Sequence, residues 1–191
     1  MTTKTTVIRA NEVLRQIEAV AEKKCLPIIG PHKGKLIAQE IRKVKPQHVL
    51  EVGTLIGYSA VLIGKELDER AEIVTIEIHR DEAETSGKNV LKANIPPKVK
   101  IIEGNALEVI PTLQGPFDFA FIDAEKTEYF QYLRLAEDKM PKFAVIFADN
   151  AGIFADQMSD YLDYVRNSGN YRSHYVQVGD DGVEISVKLK A

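Results

Sequence analysis

The chain has 191 residues, 45% of them hydrophobic and 28% charged, with a formal net charge of −3 at pH 7. That length suits one domain with a substantial core, and the composition is ordinary for a soluble globular protein. The acidic balance offers no broad basic stripe for a nucleic-acid partner, and no run approaches the roughly 20 apolar residues of a membrane span.

The opening Met1-Thr2-Thr3-Lys4 leads into no apolar signal core, which points to the cytoplasm. The single cysteine, Cys25, excludes an internal disulfide and fits a reducing compartment, where it reads as a packed or idle thiol. From about Asn11, a suitable N-cap, to Lys24, the positions Val13, Leu14, Ile17, Val20 and Ala21 share one helical face. Pro27 and Gly30-Pro31 break that helix, and a second follows from about Lys33 to Val44 with Leu36, Ile37, Ile41 and Val44 inward.

Five strand-plus-helix units come next. The strands are Val49–Val52, Ile73–Ile78, Val99–Glu103, Phe117–Ile122 and Phe143–Ala148. Their helices run from about Tyr58 to Leu67, Asp81 to Ala93, Leu107 to Leu113, Glu128 to Lys139 and Gln157 to Asn167. Continuous apolar runs are what parallel strands covered on both faces require. At the end, Tyr171–Val178 and Val183–Leu189 flank Gly179-Asp180-Asp181-Gly182, which reads as an antiparallel hairpin closing one edge. The expected fold is α/β: one Rossmann-like, doubly wound, seven-stranded sheet, mostly parallel, spanning residues 1–191 as a single domain. The helices of residues 1–45 form part of a lid over the substrate and cofactor.

In such sheets ligands bind beyond the carboxyl ends of the strands, at the switch in strand order. Gly53, Gly57 and Ser59 follow the first strand and Glu77 ends the second. Gly104-Asn105-Ala106 follows the third, Asp123 and Lys126 the fourth, and Asp149 and Asn150 the fifth. Glu77, 24 residues after Gly53, is placed to take both hydroxyls of a ribose, the alternative being a solvated strand-end glutamate. Gly53 to Gly57 is G-x-x-x-G, not the G-x-G-x-x-G that receives a pyrophosphate. Asp123, Asp149 and Asn150 offer hard oxygen ligands suited to Mg²⁺ or Ca²⁺, the alternative being capping aspartates at strand-to-helix turns. His32, His48, His79 and His174 form no pattern and read as surface or packing residues. Tyr129, Phe130 and Tyr132 read as core and crevice wall.

With these residues in place the chain resembles the cation-dependent O-methyltransferases, the catechol enzymes in particular. The resemblance runs from about Ile29 to the C-terminus. It rests on Gly30-Pro31-His32-Lys33-Gly34, Val49-Leu50-Glu51-Val52-Gly53 through Gly57-Tyr58-Ser59, and Thr75-Ile76-Glu77. Further on it rests on Glu103-Gly104-Asn105-Ala106, Phe121-Ile122-Asp123-Ala124-Glu125-Lys126, Ala148-Asp149-Asn150 and Asp181-Gly182-Val183-Glu184.

The resemblance implies S-adenosylmethionine as cofactor. Glu51, Gly53 and Ser59 would surround its methionine part with Ile29 as a backbone contact there, Glu77 would hold its ribose, and Ile78, Asn105 and Ala106 its adenine; Gly57 and Asp123 complete the cofactor-binding set. It likewise implies Mg²⁺ or another divalent cation held by Asp123, Asp149 and Asn150, with Lys126 as catalytic base beside Asp123. A hydroxyl of a small catechol-like or phenolic diol would be the acceptor, its pKa lowered by the cation and its proton taken by Lys126. The family's habit extends to a homodimer through the N-terminal helices.

The sequence departs from the catechol pattern twice. No glutamate precedes the last strand to hold the second ring hydroxyl, Asp180 being the nearest substitute, and Ala124 and Glu125 stand where aromatic walls are expected. Three other readings stay open: methylation of a hydroxylated uridine in tRNA, a non-catalytic S-adenosylmethionine-binding module, and a dehydrogenase.

Overall fold

The structure is a computed structural model and describes residues 4–190. Over these residues two helices precede five strand-plus-helix units and a closing pair of strands, seven helices and seven strands in all, as the apolar runs predict. The sheet order is β3-β2-β1-β4-β5-β7-β6. β1 (His48–Val52) is the middle one of the five parallel strands, paired with β2 (Glu72–Glu77) on one side and β4 (Phe119–Ile122) on the other. β3 (Lys98–Glu103) and β5 (Val145–Ala148) extend the parallel sheet outward. β7 (Asp181–Lys188) runs antiparallel to β5, and β6 (Tyr171–Val178) closes the edge beside it. The order therefore reverses between β1 and β4, which puts the switch point at the centre of the sheet.

Alternation along the strands builds one core on each face. Leu50, Val52, Ala120 and Ile122 pack with α5 (Ala106–Thr112), α6 (Tyr129–Ala136) and α7 (Ser159–Asn167). Val49, Phe119 and Phe121 pack on the other face with α1 (Lys4–Lys24), α2 (Gly30–Val44) and α3 (Tyr58–Gly64). α4 (Arg80–Ala93) completes that second layer through Ala93.

Several boundaries differ from the sequence reading. α1 starts at Lys4 rather than at Asn11, so Asn11 is interior to the helix; its side chain accepts from Lys65 Nζ at 2.8 Å instead of capping. Val20, read as inward, is 42% exposed. α2 starts at Gly30, because a proline in the first helical turn forfeits no intrahelical hydrogen bond and Pro31 opens the helix instead of breaking it. The helix expected over Glu128–Lys139 is a 3-10 turn (Lys126–Glu128), then α6, then a second 3-10 turn (Glu137–Lys139). β7 begins at Asp181, which leaves Gly179-Asp180 as the hairpin turn. Cys25 is exposed just beyond α1 rather than packed.

Candidate active site

A cavity of about 910 Å³ opens over the carboxyl ends of β2, β1, β4 and β5, at the switch point. Ile29, Gly53, Ser59, Glu77, Ile78, Asn105, Ala106, Asp123, Lys126, Asp149 and Asn150 all line it. These candidates come from six separate stretches of the chain, and the fold brings them to one cavity.

At the β2 end the Glu77 carboxylate accepts from the backbone N–H of Leu55 at 2.7 Å and of His79 at 3.0 Å. Those bonds fix its rotamer beside the cavity. Asn105 caps α5, its side chain accepting from Leu107 N at 2.8 Å, so that Asn105 and Ala106 line the cavity from a fixed turn. Ile78 is 59% exposed, an apolar side chain held at the mouth.

Two of the predicted cofactor residues lie outside the cavity lining. Gly57 is the N-cap of α3 at φ 84°, and a Cβ there would meet Ser86 Oγ at 2.7 Å; it shapes the turn rather than the wall. Glu51 points away from the flanking Leu50 and Val52 by strand alternation and is fully buried. Burial pushes its carboxyl up to about 7, against the pull of the nearby Ser59, Thr75 and Thr54 hydroxyls. Among the described residues none of these hydroxyls is aligned as a hydrogen bond to either Glu51 oxygen.

At the β4–β5 end Lys126 Nζ donates to Asp123 Oδ1 at 2.9 Å and to the Tyr129 hydroxyl at 3.1 Å. Tyr129 is fully buried and anchors the lysine, while the Phe154 ring centroid lies 5.9 Å from Lys126 Nζ. Asp149 is almost fully buried, and its carboxyl is raised to about 6 by burial and by the Asp123 charge, against the opposing effect of Lys33. Asn150 adopts φ 63°, a left-handed conformation that asparagine tolerates better than most residues.

The sequence reading gave no role to Lys33 or Asp181. Lys33 Nζ bridges Asp149 Oδ1 at 2.6 Å and Asp181 Oδ2 at 2.5 Å. Lys33 lies 148 residues from Asp181, so no local periodicity signals the pairing; the hint in the sequence is that both residues fall inside the stretches that carry the resemblance. Asp180, the suggested substitute for the missing glutamate, is exposed in the hairpin turn and does not line the cavity. Ala124 and Glu125 do line it, as expected, and apolar wall comes instead from Ile28, Ile153, Phe154 and Tyr132.

His79 also departs from the expectation of no pattern. It stands with Glu77 and Glu82, the ligand atoms of the three within 4.8 Å of one another. Both Glu77 oxygens already accept backbone N–H groups, which ties this trio to the cavity wall.

The arrangement can hold an adenosine-type ligand at Glu77 and a hard cation between Asp123, Asp149 and Asn150, with a lysine beside the second site. The family model for O-methyltransferases matches residues 4–166. The chain belongs to the O-methyltransferase family. It is 33% identical over 174 residues to catechol O-methyltransferase B of Danio rerio, covering 84% of this chain and 65% of that enzyme. It is 27% identical over 171 residues to caffeoyl-CoA O-methyltransferase of Stellaria longipes, covering 84% and 71%. The fold matches that of the O-methyltransferase TomG from Streptomyces achromogenes with a TM-score of 0.86 at 24% identity, over 93% of this chain and 90% of that one. The matched regions span 57–65% of the lengths of the first catechol relatives. Among the described residues no helix is long and apolar enough to cross a membrane.

Proposed function

We propose that this protein is a cytoplasmic enzyme that transfers the methyl group of S-adenosylmethionine to a hydroxyl of a small catechol-like or phenolic diol, in a reaction that depends on Mg²⁺ or another divalent cation. One observation carries the reading: Glu77, the oxygen trio Asp123, Asp149 and Asn150, and Lys126 line a single cavity at the switch point of an O-methyltransferase fold. Family membership supports the sulfonium donor, and names such as catechol and caffeoyl-CoA O-methyltransferase among the relatives support a phenolic acceptor.

The donor set fits a hard cation. It consists of two carboxylates close enough for Asp123 to raise the Asp149 carboxyl, plus an amide whose NH₂ is engaged by Asp181, which leaves its oxygen free. Asp123, Asp149 and Asn150 would hold Mg²⁺, which lowers the pKa of a hydroxyl bound to it.

The chain's own residues supply the rest. Glu77 keeps lone pairs beyond its two backbone bonds for the ribose hydroxyls. Ser59 lines the same cavity and would flank the methionine part of the donor. Lys126, tethered by Asp123 and Tyr129, takes the acceptor proton. Ile28, Ile153 and Phe154 give the cavity an apolar wall against which an acceptor ring would pack. Much of the rate comes from holding nucleophilic oxygen and methyl group in line.

Residues 1–191 act as one domain in this reading. The N-terminal helices serve as part of the lid: Leu26 to Ile29 and Lys33 line the cavity, and Glu18 of α1 accepts from the Tyr58 hydroxyl at 2.5 Å. The same helices are the surface through which a homodimer would form. The Asp149→Ala variant tests the cation site. It is expected to lose Mg²⁺-dependent turnover yet still bind S-adenosylhomocysteine by calorimetry; unchanged turnover would exclude the assignment.

A further inference from the structure

The Asp181 carboxylate divides its work between its two oxygens. Oδ1 accepts from the backbone N–H of Gly152 at 3.1 Å and of Ile153 at 2.9 Å, which fixes the loop after β5. Oδ2 accepts from Asn150 Nδ2 at 2.9 Å and from Lys33 Nζ at 2.5 Å. A carboxylate offers only acceptors, so the Asn150 amide must turn its NH₂ toward Asp181 and its oxygen the other way. All four of its partners are donors, so Asp181 acts as an acceptor in every one of these bonds.

We infer that Asp181 is a positioning residue for the cation site: it sets the Asn150 amide so that the oxygen, not the NH₂, faces the cation, and it seats Lys33 against Asp149. This rests on the assignment of Asp123, Asp149 and Asn150 as cation ligands. The device spans three segments: Lys33 comes from α2, Asn150 from the β5–α7 loop and Asp181 from the first residue of β7. Groups of this kind behind metal ligands typically change metal affinity by roughly 10- to 100-fold when altered.

The division of labour makes a sharp test. In Asp181→Asn, the side-chain oxygen can keep the Gly152 and Ile153 N–H bonds, so the loop is retained. The new NH₂ then faces the Asn150 NH₂, donor against donor, and the Asn150 amide turns over to offer its oxygen to residue 181. The cation site loses an oxygen ligand. Exchanging the pair, in the double variant Asp181→Asn with Asn150→Asp, restores a donor facing an acceptor between positions 150 and 181 and again leaves an oxygen toward the cation, while Lys33 keeps its bond to Asp149 alone.

The measurement is Mn²⁺ affinity by electron paramagnetic resonance on the full chain, with S-adenosylhomocysteine binding by calorimetry in parallel. Asp181→Asn is expected to weaken Mn²⁺ binding roughly 10- to 100-fold with S-adenosylhomocysteine binding unchanged, and the exchange to recover most of the loss. Wild-type Mn²⁺ affinity in Asp181→Asn would overturn the positioning role while leaving the cation site standing, provided Asp149→Ala abolishes binding. A parallel loss of both ligands, unrelieved by the exchange, would mark Asp181 as a purely structural residue and overturn it as well. If Asp181→Asn does not fold, the exchange decides alone: Mn²⁺ binding supports the role and its loss overturns it. No Mn²⁺ binding by the wild-type chain would overturn the ligand assignment itself.

Discussion

Gly53 and Asp123 meet where β1 and β4 end, so closely that a Cβ on Gly53 would lie 2.2 Å from the Asp123 carbonyl oxygen. Gly53 also sits at φ 89°, a conformation that L side chains rarely adopt. The turn after β1 and the turn bearing a proposed cation ligand are thus one packed unit, with Asp123 N bonded to Val52 O at 2.9 Å and Gly53 N to Ile76 O at 3.0 Å. Gly53→Ala combines a backbone clash with a strained φ and is expected to destabilise the fold by about 2–4 kcal/mol. Thermal unfolding of the variant checks this, and an unchanged midpoint would contradict the close approach.

Glu51 makes stability depend on pH. Its carboxyl is about 7 in the fold against 4.5 for the free group, so between those values the folded state binds the extra proton. Stability from this group is therefore greater below about pH 4.5 and falls as pH rises through about 7. Glu51→Gln removes the penalty of the buried charge and is expected to stabilise the protein at pH 8 by on the order of 1–3 kcal/mol. At pH 5 the gain shrinks. Urea unfolding of both forms at the two pH values checks the sign, and a gain that grows toward acid would contradict it.

Lys126 is held by one carboxylate and one phenol and bonds to no other described group. Lys126→Met keeps the length of the side chain and removes the proposed base. It is expected to lower kcat by roughly 10²–10⁴-fold with S-adenosylhomocysteine affinity unchanged. A drop in affinity with kcat retained would place the lysine in ligand binding instead.

Glu77→Gln leaves one acceptor oxygen where there were two, while Leu55 and His79 still present their N–H groups. The proposed ribose site is then short of acceptors. S-adenosylhomocysteine binding, read by calorimetry, is expected to weaken by roughly tenfold to a hundredfold. Equal affinity would remove Glu77 from the cofactor site.

Much of this architecture is legible in the sequence, for a physical reason. Parallel strands covered on both faces demand unbroken apolar runs such as Val145-Ile146-Phe147-Ala148, and the first polar residues after each run fall at the ligand-binding edge. Glu77, Asp123, Asp149 and Asn150 follow from that rule alone, and all four line the cavity. Two kinds of feature escape it. Pro31 reads as a breaker in isolation yet opens α2, because a proline's meaning depends on which turn of the helix it occupies. The Lys33–Asp181 pair joins residues 148 positions apart, and only the folded sheet brings α2 and the start of β7 together. Glu51 shows the remaining limit: alternation tells which way its side chain points, but not that the hydroxyls around it are misaligned for bonding.

The most direct test is release of S-adenosylhomocysteine from S-adenosylmethionine with a panel of catechols, run with Mg²⁺ and then with excess EDTA. Turnover with Mg²⁺ that EDTA abolishes is expected if Asp123, Asp149 and Asn150 hold the cation and Lys126 takes the acceptor proton. Turnover that persists undiminished in EDTA would contradict the cation site, and no turnover with any phenol despite tight S-adenosylmethionine binding would contradict the acceptor class.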